Sequence, residues 1–262
     1  MANKLLIHIH LYYTEQTDFF LKELSNVSVP FDLIVTLTHE DSDVSSKISA
    51  QVPNAQFLVV ENCGYDVYPF FLAMGKYDLN EYDYILKIHT KNCNTSPSLN
   101  HIHYHGNGFR NGLITPLLGS EYNFKKAFKR ISFPKTGIVC SKNFLIKQES
   151  ATNNATTELL CEKYSVPYKK DYVFCAGTMF LCRSEIIKKI LEKKYTAEDF
   201  RSNLKTGDSG TLAHSMETLF GIICHNMGYK IQGVHSWTTF KDFLRIILKS
   251  IVHKDIRWLI FY

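Results

Sequence analysis

The chain has 262 residues, of which 45% are hydrophobic and 21% are charged. This composition is typical of a globular protein and excludes long disordered stretches. The length suits one large domain or a domain with an appendage. The net charge of +5 is spread along the chain, so we expect anionic partners such as nucleotide phosphates or lipid head groups. No nucleic-acid-binding motif is present, and we expect no nucleic-acid partner.

The cysteines and the N-terminal residues favour a cytoplasmic protein. No Cys-x-x-Cys pair occurs, so we expect reduced thiols rather than disulfides or a zinc site. The N-terminal run lacks the charged start and cleavage site of a signal peptide. No stretch of about 18 apolar residues is present, so we expect no transmembrane span. The seven cysteines are Cys63, Cys93, Cys140, Cys161, Cys175, Cys182 and Cys224.

Strands and helices alternate in the first part of the sequence. A helix is expected after Thr14 and a short one from Pro69. Strands separated by helices imply a parallel sheet with right-handed crossovers, in which ligands bind beyond the carboxyl ends of the strands. The predicted strands are 5–13, 31–38, 55–62 and 82–90. The residues expected at their carboxyl ends are Tyr12, Tyr13, Thr38, His39, Asn62 to Asp66, and His89 to Lys91.

The second part of the sequence is less regular. Residues 92–108 predict a loop, and a helix of about 18 residues is expected near Gly112. The weakly patterned polar segment 142–170 is expected to cover the site. The apolar run 172–182 predicts one central strand, bent at Gly177. The other predicted elements are a strand at 137–141, helices at 184–194 and 212–228, and a strand at 229–234.

An Asn-x-Gly turn follows the third predicted strand. It begins at Asn62, and Gly64 tolerates a positive φ, which lets the backbone approach a ligand. Asp66 then lies just past a strand end, where its carboxylate can accept hydrogen bonds from a ribose or a base. The alternative is that Asp66 caps the helix that Pro69 starts, and the two roles are compatible.

Five segments carry a family resemblance. They are NCGYDVYPF (62–70), YDYILKIHTK (82–91), GFRNGLITPLLGS (108–120), AGTMFLCRSE (176–185) and AHSMETLFG (213–221). Their order resembles that of a GT-A glycosyltransferase, and the set resembles the rhamnan synthesis protein F family over residues 4 to about 235. Tyr65 and Tyr68 depart from the pattern, since the family more often has Arg and Gly there.

The resemblance implies a GT-A-like α/β fold with a Rossmann-type, mostly parallel sheet flanked by helices. It implies a nucleotide-sugar-binding half at 1–91, an acceptor and catalytic half at 92–235, and a helical extension at 236–262. The implied reaction moves rhamnose or another hexose, with inversion, from a nucleotide-diphosphate donor onto a glycan or lipid-linked glycan of a bacterial capsule or O-antigen. The family name suggests dTDP-rhamnose, while other donors, including a galactofuranose donor, are left open. The alternative is a noncatalytic nucleotide- or sugar-binding partner in a polysaccharide assembly complex.

Cations replace the Asp-x-Asp metal motif that the resemblance leads one to expect after the fourth strand. Lys87, His89, Thr90 and Lys91 stand in its place. A departing diphosphate needs positive charge, which fixed cations can supply instead of a divalent ion. Lys87 and His89 share one face of the strand. We therefore expect His89 and Lys91 to neutralise the phosphates without a metal or other cofactor, although Mg²⁺ and Mn²⁺ are left open. The alternative is that Lys87 and Lys91 are solvated surface charges.

Arg110 completes the predicted donor site. Its planar guanidinium can hold a phosphate through two hydrogen bonds, and the alternative is a surface Arg at the start of a helix. The predicted donor-binding residues are Tyr12, Asn62, Gly64, Asp66, Lys87, His89, Lys91 and Arg110.

The predicted helix at 212–228 has one apolar face and one face of His, Glu, Thr and Gly, which suits the wall of a cleft. An inverting transferase needs a general base, and the GT-A resemblance places it near the start of a helix after the central strand. Glu217 matches that place, and His214 is the second choice. A surface or salt-bridged Glu217 is the alternative. A zinc site with His225 is rejected because more than two helical turns separate it from Glu217.

Two further segments attract attention. The three histidines of HIHYH (101–105) would face one side of an extended segment, but a polar loop or a structural cluster is favoured over a metal site or an acceptor lid. The basic amphipathic segment 241–262 predicts a helix that contacts the membrane at its cytoplasmic face. The alternative is a helix packed on the domain.

Overall fold

The computed structural model describes residues 4–99, 102–147, 154–201 and 211–252. Its centre is a seven-stranded sheet, and helices cover both faces. The strands are β1 Leu5–His10, β2 Phe31–Leu37, β3 Gln56–Val59, β4 Tyr84–His89, β5 Ser98–Leu99, β6 Ile102–His103, β7 Thr136–Ser141, β8 Leu145–Lys147, β9 Val173–Cys175, β10 Phe180–Arg183 and β11 Lys230–Val234. The helices are α1 Thr17–Leu24, α2 Ser42–Gln51, α3 Val67–Met74, α4 Gly108–Leu118, α5 Glu121–Ile131, α6 Asn154–Lys163, α7 Ser184–Leu191, α8 Ala197–Arg201, α9 Leu212–Asn226 and α10 Trp237–Val252.

The sheet has the strand order β11-β7-β10-β4-β1-β2-β3. Every neighbouring pair is parallel except those of β10, which runs antiparallel to both β4 and β7. The expectation of an α/β fold with a mostly parallel sheet flanked by helices is confirmed. The carboxyl ends of β1, β2, β3 and β4 meet at one edge, because parallel strands end on the same side of a sheet.

The central strands explain both layers of the core. All six residues of β1 are buried, and so are all six of β4. Leu5, Ile7 and Ile9 pack with α1, α4 and α5 on one face, whereas Leu6 packs with α3, α7 and α9 on the other. Because side chains alternate along a strand, His8 and His10 share the face of Leu6. That second face therefore changes from apolar to polar towards the carboxyl edge.

Three predicted elements are wrong in detail. The run 172–182 is not one strand: β9 pairs with β8 in a separate small sheet, and β10 joins the main sheet after a turn at Gly177. The long helix near Gly112 is two helices, because Ser120 accepts a hydrogen bond from the Asn123 N–H and caps α5. The polar segment 142–170 contains β8 and α6, and none of its described residues, 142–147 and 154–170, lines the pocket described below.

Six of the seven cysteine thiols are buried, and Cys93 is half-buried; all seven are free. Among the described helices, none is both long enough and apolar enough to cross a membrane.

Gly221 lets α9 approach β9 closely. A Cβ at this position would lie 2.4 Å from the Val173 carbonyl oxygen and 2.8 Å from the Phe174 Cβ. We expect Gly221→Ala to lower the free energy of unfolding by about 2 kcal/mol, since backbone atoms cannot move aside without strain. Urea unfolding measures this. Gly75→Ala is the matched control, because its Cβ would meet nothing closer than 3.5 Å; equal losses in the two variants would contradict the close packing of α9.

Candidate functional site

A pocket of about 350 Å³ lies at the carboxyl edge of β1 and β4. It is lined by His10, Tyr12, Tyr13, Asn62, Tyr65, Asp66, His89, Thr90, Lys91 and Asn92. Five of the eight predicted donor-binding residues are among them, namely Tyr12, Asn62, Asp66, His89 and Lys91. Thr38 and His39, which were also expected at this edge, do not line it.

Polar side chains cross three strands in register beneath the pocket. Thr36, His10 and His89 are neighbours on β2, β1 and β4, and His8 pairs with Lys87 one row below. The Thr36 hydroxyl lies 2.9 Å from His10 Nδ1 and 3.0 Å from His8 Nε2. Residues in register on parallel strands point to the same face. Strand pairing itself therefore brings these polar side chains together beneath the pocket.

Lys87 and Asp66 form a buried ion pair at the base of the pocket. The Lys87 side chain is 0% exposed and that of Asp66 is 13% exposed. Lys87 donates to Asp66 Oδ2, to the Thr178 carbonyl oxygen at 3.1 Å and to Thr178 Oγ1 at 3.2 Å. Thr178 Oγ1 also donates to Asp66 Oδ2. An ammonium group has three donors and no acceptor, so Lys87 has a complete set of partners.

This geometry corrects the alternative that Lys87 is a solvated surface charge. It also settles the local role of Asp66, which occupies the N-cap position of α3 but makes no side-chain capping bond. Its hydrogen bonds go to Lys87 and Thr178 through Oδ2. Within the described residues, no hydrogen bond to Asp66 Oδ1 is found, and Asp66 lines the pocket.

Burial and charge set the ionisation of these groups. Burial opposes the charge of Asp66, but neighbouring positive charge holds the pKa of Asp66 well below its usual range; Lys87 and Lys91 supply this charge, and the His89 ring adds to it only when protonated. Burial lowers the pKa of Lys87, and the Asp66 carboxylate counteracts this. Burial also lowers the pKa of His89 well below its usual range. His89 is therefore a neutral ring, and Lys91 is the cationic side chain among the described residues that line the pocket.

Neither ring nitrogen of His89 has a hydrogen-bond partner within the described residues. The ring is 2% exposed and lines the pocket. Its Nδ1 lies 3.4 Å from Asp66 Oδ2, without the alignment of a hydrogen bond. Unsatisfied buried polar groups are uncommon in native proteins, so this ring is a point at which a ligand would find both a donor and an acceptor.

Two left-handed turns meet around Asp66. Gly64 and Tyr65 have φ of +66° and +52°, and Gly177 and Thr178 have φ of +81° and +50°. Residues with a Cβ are strained in this region by about 1 kcal/mol or more and persist where their surroundings hold them. The hydrogen bonds of Thr178 with Lys87 and Asp66 stabilise its left-handed conformation.

Glu217 on α9 lies on the other side of the Gly177–Thr178 turn. Its Oε1 accepts a hydrogen bond from the Gly177 N–H at 3.1 Å. Burial raises the pKa of Glu217 to about 7, although Lys91 opposes the shift. A carboxyl group with this pKa can hold or release a proton near neutral pH, as a general base must.

His214 lies one helical turn before Glu217. Its ring makes an edge contact with Tyr65, with ring centroids 5.5 Å apart, and its Nδ1 is hydrogen-bonded to the Thr211 hydroxyl. Neither predicted catalytic residue lines the pocket: His214 contacts Tyr65, which does, and Glu217 contacts the Gly177–Thr178 turn. Their catalytic roles stay predictions.

Three predicted donor-binding residues do not line the pocket. Lys87 lies beneath Asp66. Gly64 packs against Phe200, and a Cβ there would lie 2.7 Å from its ring. Arg110 is buried, stacks 3.7 Å from the Phe19 ring centroid and donates to Gln16. Gln16 in turn donates to the Lys91 carbonyl oxygen at 2.7 Å, so the structure connects Arg110 to the pocket through the backbone that positions Lys91. The expected phosphate contact of Arg110 stays a prediction.

The other histidines have structural neighbours. His225 stacks on Tyr172 with ring centroids 4.8 Å apart. In the HIHYH segment, the His103 ring is hydrogen-bonded to the Ser98 hydroxyl and the His105 ring to the Ser96 hydroxyl. His101 lies outside the described residues.

The described residues do not fit a divalent cation. No group of three His, Cys, Asp or Glu side chains in the described ranges has the arrangement of a metal site. Among the described residues that line the pocket, Asp66 is the one carboxylate, and Lys87 already donates to its Oδ2.

Two residues of the site were not singled out from the sequence. His10 lies inside a predicted strand, and only strand register shows that it adjoins His89. Thr178 lies inside an apolar run that predicts a continuous strand and gives no sign of a turn. Thr90, which was expected at the carboxyl end of the fourth strand, does line the pocket and accepts hydrogen bonds from the Tyr12 and Tyr13 N–H groups at 3.1 Å.

A family model described as Rhamnan synthesis protein F matches residues 1–229. The uncharacterized protein WxcX of Xanthomonas campestris pv. campestris (strain B100) is 24% identical over 231 residues, which cover 86% of this chain and 32% of WxcX. The same values hold for WxcX of strain ATCC 33913. The chain therefore spans about a third of the length of the curated relatives it matches.

Solved structures are more distant. S. aureus TarS 1–349 in complex with UDP is similar with a TM-score of 0.47 and 13% identity, covering 95% of this chain and 65% of that one. Core-mannan synthase A (CmsA/Ktr4) from Aspergillus fumigatus, in its Mn/GDP form, has a TM-score of 0.41 and 9% identity, covering 87% of this chain and 69% of that one.

The ion pair leads to a test of stability. We expect Lys87→Met to lower the free energy of unfolding by about 3 kcal/mol, because Asp66 is left as an unpaired charge. Adding Asp66→Asn should recover part of this loss, since the remaining group is neutral. Urea unfolding of both single variants and the double variant measures the coupling. A loss below about 1 kcal/mol in Lys87→Met, or strictly additive losses, would contradict a structural ion pair.

Proposed function

The chain belongs to the rhamnan synthesis protein F family, and on that premise we propose that it is a glycosyltransferase. It transfers rhamnose or another hexose from a nucleotide-diphosphate donor to a bacterial surface polysaccharide. The observation that carries this proposal is the juxtaposition of Asp66 and Glu217. A buried ion pair fixes Asp66, and a carboxyl group with a pKa of about 7 lies across the Gly177–Thr178 turn.

The pocket has the chemistry to hold a nucleoside. Tyr12 and Tyr65 are 42% and 49% exposed and offer aromatic surface for a base. Asp66 Oδ1 can accept a hydrogen bond from a ribose hydroxyl or a base N–H. The neutral His89 ring can donate one hydrogen bond and accept another. These partners favour a ligand whose buried part is neutral and forms hydrogen bonds.

The diphosphate of the donor would lie nearer the pocket mouth, at Lys91. This half-buried amine lines the pocket, and its backbone carbonyl is held by Gln16. Fixed positive charge stabilises a leaving group most when it is placed before the reaction. Asn62 and Asn92 add side-chain amides to the same lining.

The transfer step then follows. The Glu217 carboxylate takes the proton of an acceptor hydroxyl, and the hydroxyl oxygen forms a bond to the anomeric carbon of the donor sugar. The bond from that carbon to the diphosphate oxygen breaks, and the nucleoside diphosphate leaves with the electron pair, stabilised by Lys91. The configuration at the anomeric carbon inverts, because attack and departure occur on opposite faces of the sugar.

We propose that the fixed cations replace a divalent ion in this step. The support is chemical: the Lys87 ammonium already engages the Asp66 oxygen that a metal would need. The donor identity is drawn from the family name, which favours dTDP-rhamnose. The acceptor is a capsule or O-antigen glycan, free or lipid-linked.

Chelation tests the role of the fixed cations. We expect the Kd of a nucleoside diphosphate, measured by isothermal titration calorimetry, to change by less than about threefold between EDTA and excess Mn²⁺ or Mg²⁺. The reason is that Lys91 supplies the charge that a metal otherwise would. A more than tenfold loss of affinity in EDTA, restored by the metal, would overturn this part of the proposal.

Glu217→Gln tests the general base. We expect a fall in kcat of at least about a hundredfold, or about 2.7 kcal/mol of barrier, with the Kd for the donor almost unchanged. A base acts when deprotonated, so wild-type kcat/KM should rise tenfold per pH unit below a pH of about 7 and level off above it. The variant should lose that dependence.

His214→Gln is the matched control on the same helix. We expect its turnover to stay within about tenfold of wild type, since Glu217 remains in place. Loss of turnover in His214→Gln alone would reverse the two assignments. Unchanged turnover in both would remove α9 from the active site, and the absence of any turnover in wild type, with intact donor binding, would favour the noncatalytic partner instead.

A further inference from the structure

One face of α10 is exposed and apolar. Trp237, Phe240, Leu244 and Leu248 are 72%, 39%, 46% and 63% exposed. Their spacing of three, four and four residues places them in one stripe along the helix. The helix begins at Trp237, four residues before the predicted segment, and residues 253–262 of that segment lie outside the described residues.

The opposite face of α10 packs on the domain. Thr239 is buried, and its carbonyl oxygen accepts a hydrogen bond from Asn143 at 2.8 Å. The Phe243 ring lies 4.8 Å from the His235 ring, centroid to centroid. The predicted alternative, a helix packed on the domain, holds for the inner face, and membrane contact of the exposed stripe stays a prediction.

A groove of about 580 Å³ lies between the first turn of this stripe, at Trp237 and Phe240, and α5. Tyr122, Asn123 and Lys126 line it from α5, and Trp237 and Phe240 line it from α10. Tyr122 is 73% exposed. Helical spacing places Lys125, Lys126 and Lys129 beside Tyr122, away from the buried side of α5. We name this surface the α5/α10 face. It consists of the lysines of α5 together with Tyr122, Trp237, Phe240, Leu244 and Leu248.

These two helices concentrate the positive charge of the chain. Helix α5 has four basic side chains and one acidic, and α10 has three basic and one acidic. Their joint excess of five equals the net charge of the whole chain, +5, so the remainder of the chain is neutral in sum. The charge and the exposed aromatic residues thus occur together.

We propose that the α5/α10 face binds the interface of a membrane that contains anionic lipids. Trp and Tyr side chains favour the boundary between head groups and acyl chains, and leucines on one helix face enter it. Lysines beside them attract anionic head groups. Charge complementarity selects this occupant over a second copy of the chain, whose own α5/α10 face would bring like charges together. The inference does not depend on the chemistry proposed for the pocket.

Vesicle co-sedimentation of the full chain tests this surface. We expect binding to phosphatidylcholine vesicles that contain phosphatidylglycerol, weak binding to phosphatidylcholine alone, and release at high salt, which screens surface charge. Leu244→Ser and the pair Lys125→Gln/Lys129→Gln should each weaken binding to the anionic vesicles by about tenfold or more. Circular dichroism confirms that each variant stays folded.

Matched substitutions elsewhere serve as controls. Leu159 on α6 is 65% exposed, and Lys22 and Lys76 are exposed lysines outside the α5/α10 face. Leu159→Ser and Lys22→Gln/Lys76→Gln should bind as wild type does. Equal losses in controls and test variants, or equal binding to neutral and anionic vesicles, would overturn the proposal. A concentration-dependent dimer that Leu244→Ser dissociates, without lipid binding, would assign the face to a second copy.

Discussion

The ion pair between Lys87 and Asp66 is the interaction on which the site depends. A lysine in the centre of a sheet is costly to bury unless its charge is compensated and its donors are satisfied. Asp66 provides the charge, and Thr178 provides the remaining acceptors. The pair thereby joins three separate parts of the chain: the strand β4, the start of α3 and the turn before β10.

The pair also determines where a ligand can interact. Because Lys87 and Thr178 engage Oδ2, the second carboxylate oxygen of Asp66 is presented to the pocket in a defined direction. The Gly177–Thr178 turn continues the same connection to Glu217, whose carboxylate accepts the Gly177 N–H. The two carboxyl groups are therefore held by adjacent residues of one strained turn. Neighbouring charge keeps Asp66 ionised, whereas burial raises the pKa of Glu217. Opposite shifts in neighbouring acids are typical of sites that divide binding and proton transfer between them.

Much of this arrangement follows from local sequence patterns. The four strands of the first part were predicted because apolar runs with turn residues between them define strands locally, and the carboxyl-edge rule then placed Tyr12, Asp66, His89 and Lys91 together. The break between α4 and α5 was missed although its signal is local, since Gly119 and Ser120 are typical helix-ending and helix-starting residues.

Other features could not be predicted because they arise from tertiary contacts. The burial of Lys87 depends on β10 pairing beside β4, which links residues far apart in the sequence. Thr178 adopts a left-handed conformation that its apolar neighbours give no reason to expect. The neutral state of His89 is a consequence of its depth in the fold, so the residue type alone favoured a cation. Strand alternation could place Lys87 and His89 on one face, but it could not show which of them reaches the pocket.

A thermal-shift series with nucleoside diphosphates tests the central claim most directly, since a ligand that binds only the folded state raises the melting temperature by mass action. With the pocket as the donor site, at least one nucleoside diphosphate should raise the melting temperature of the wild type. The shift should be clearly smaller in Lys91→Met, which keeps the Lys87–Asp66 pair and removes a cation from the pocket lining. No shift with any nucleoside diphosphate, or an undiminished shift in Lys91→Met, would contradict the account.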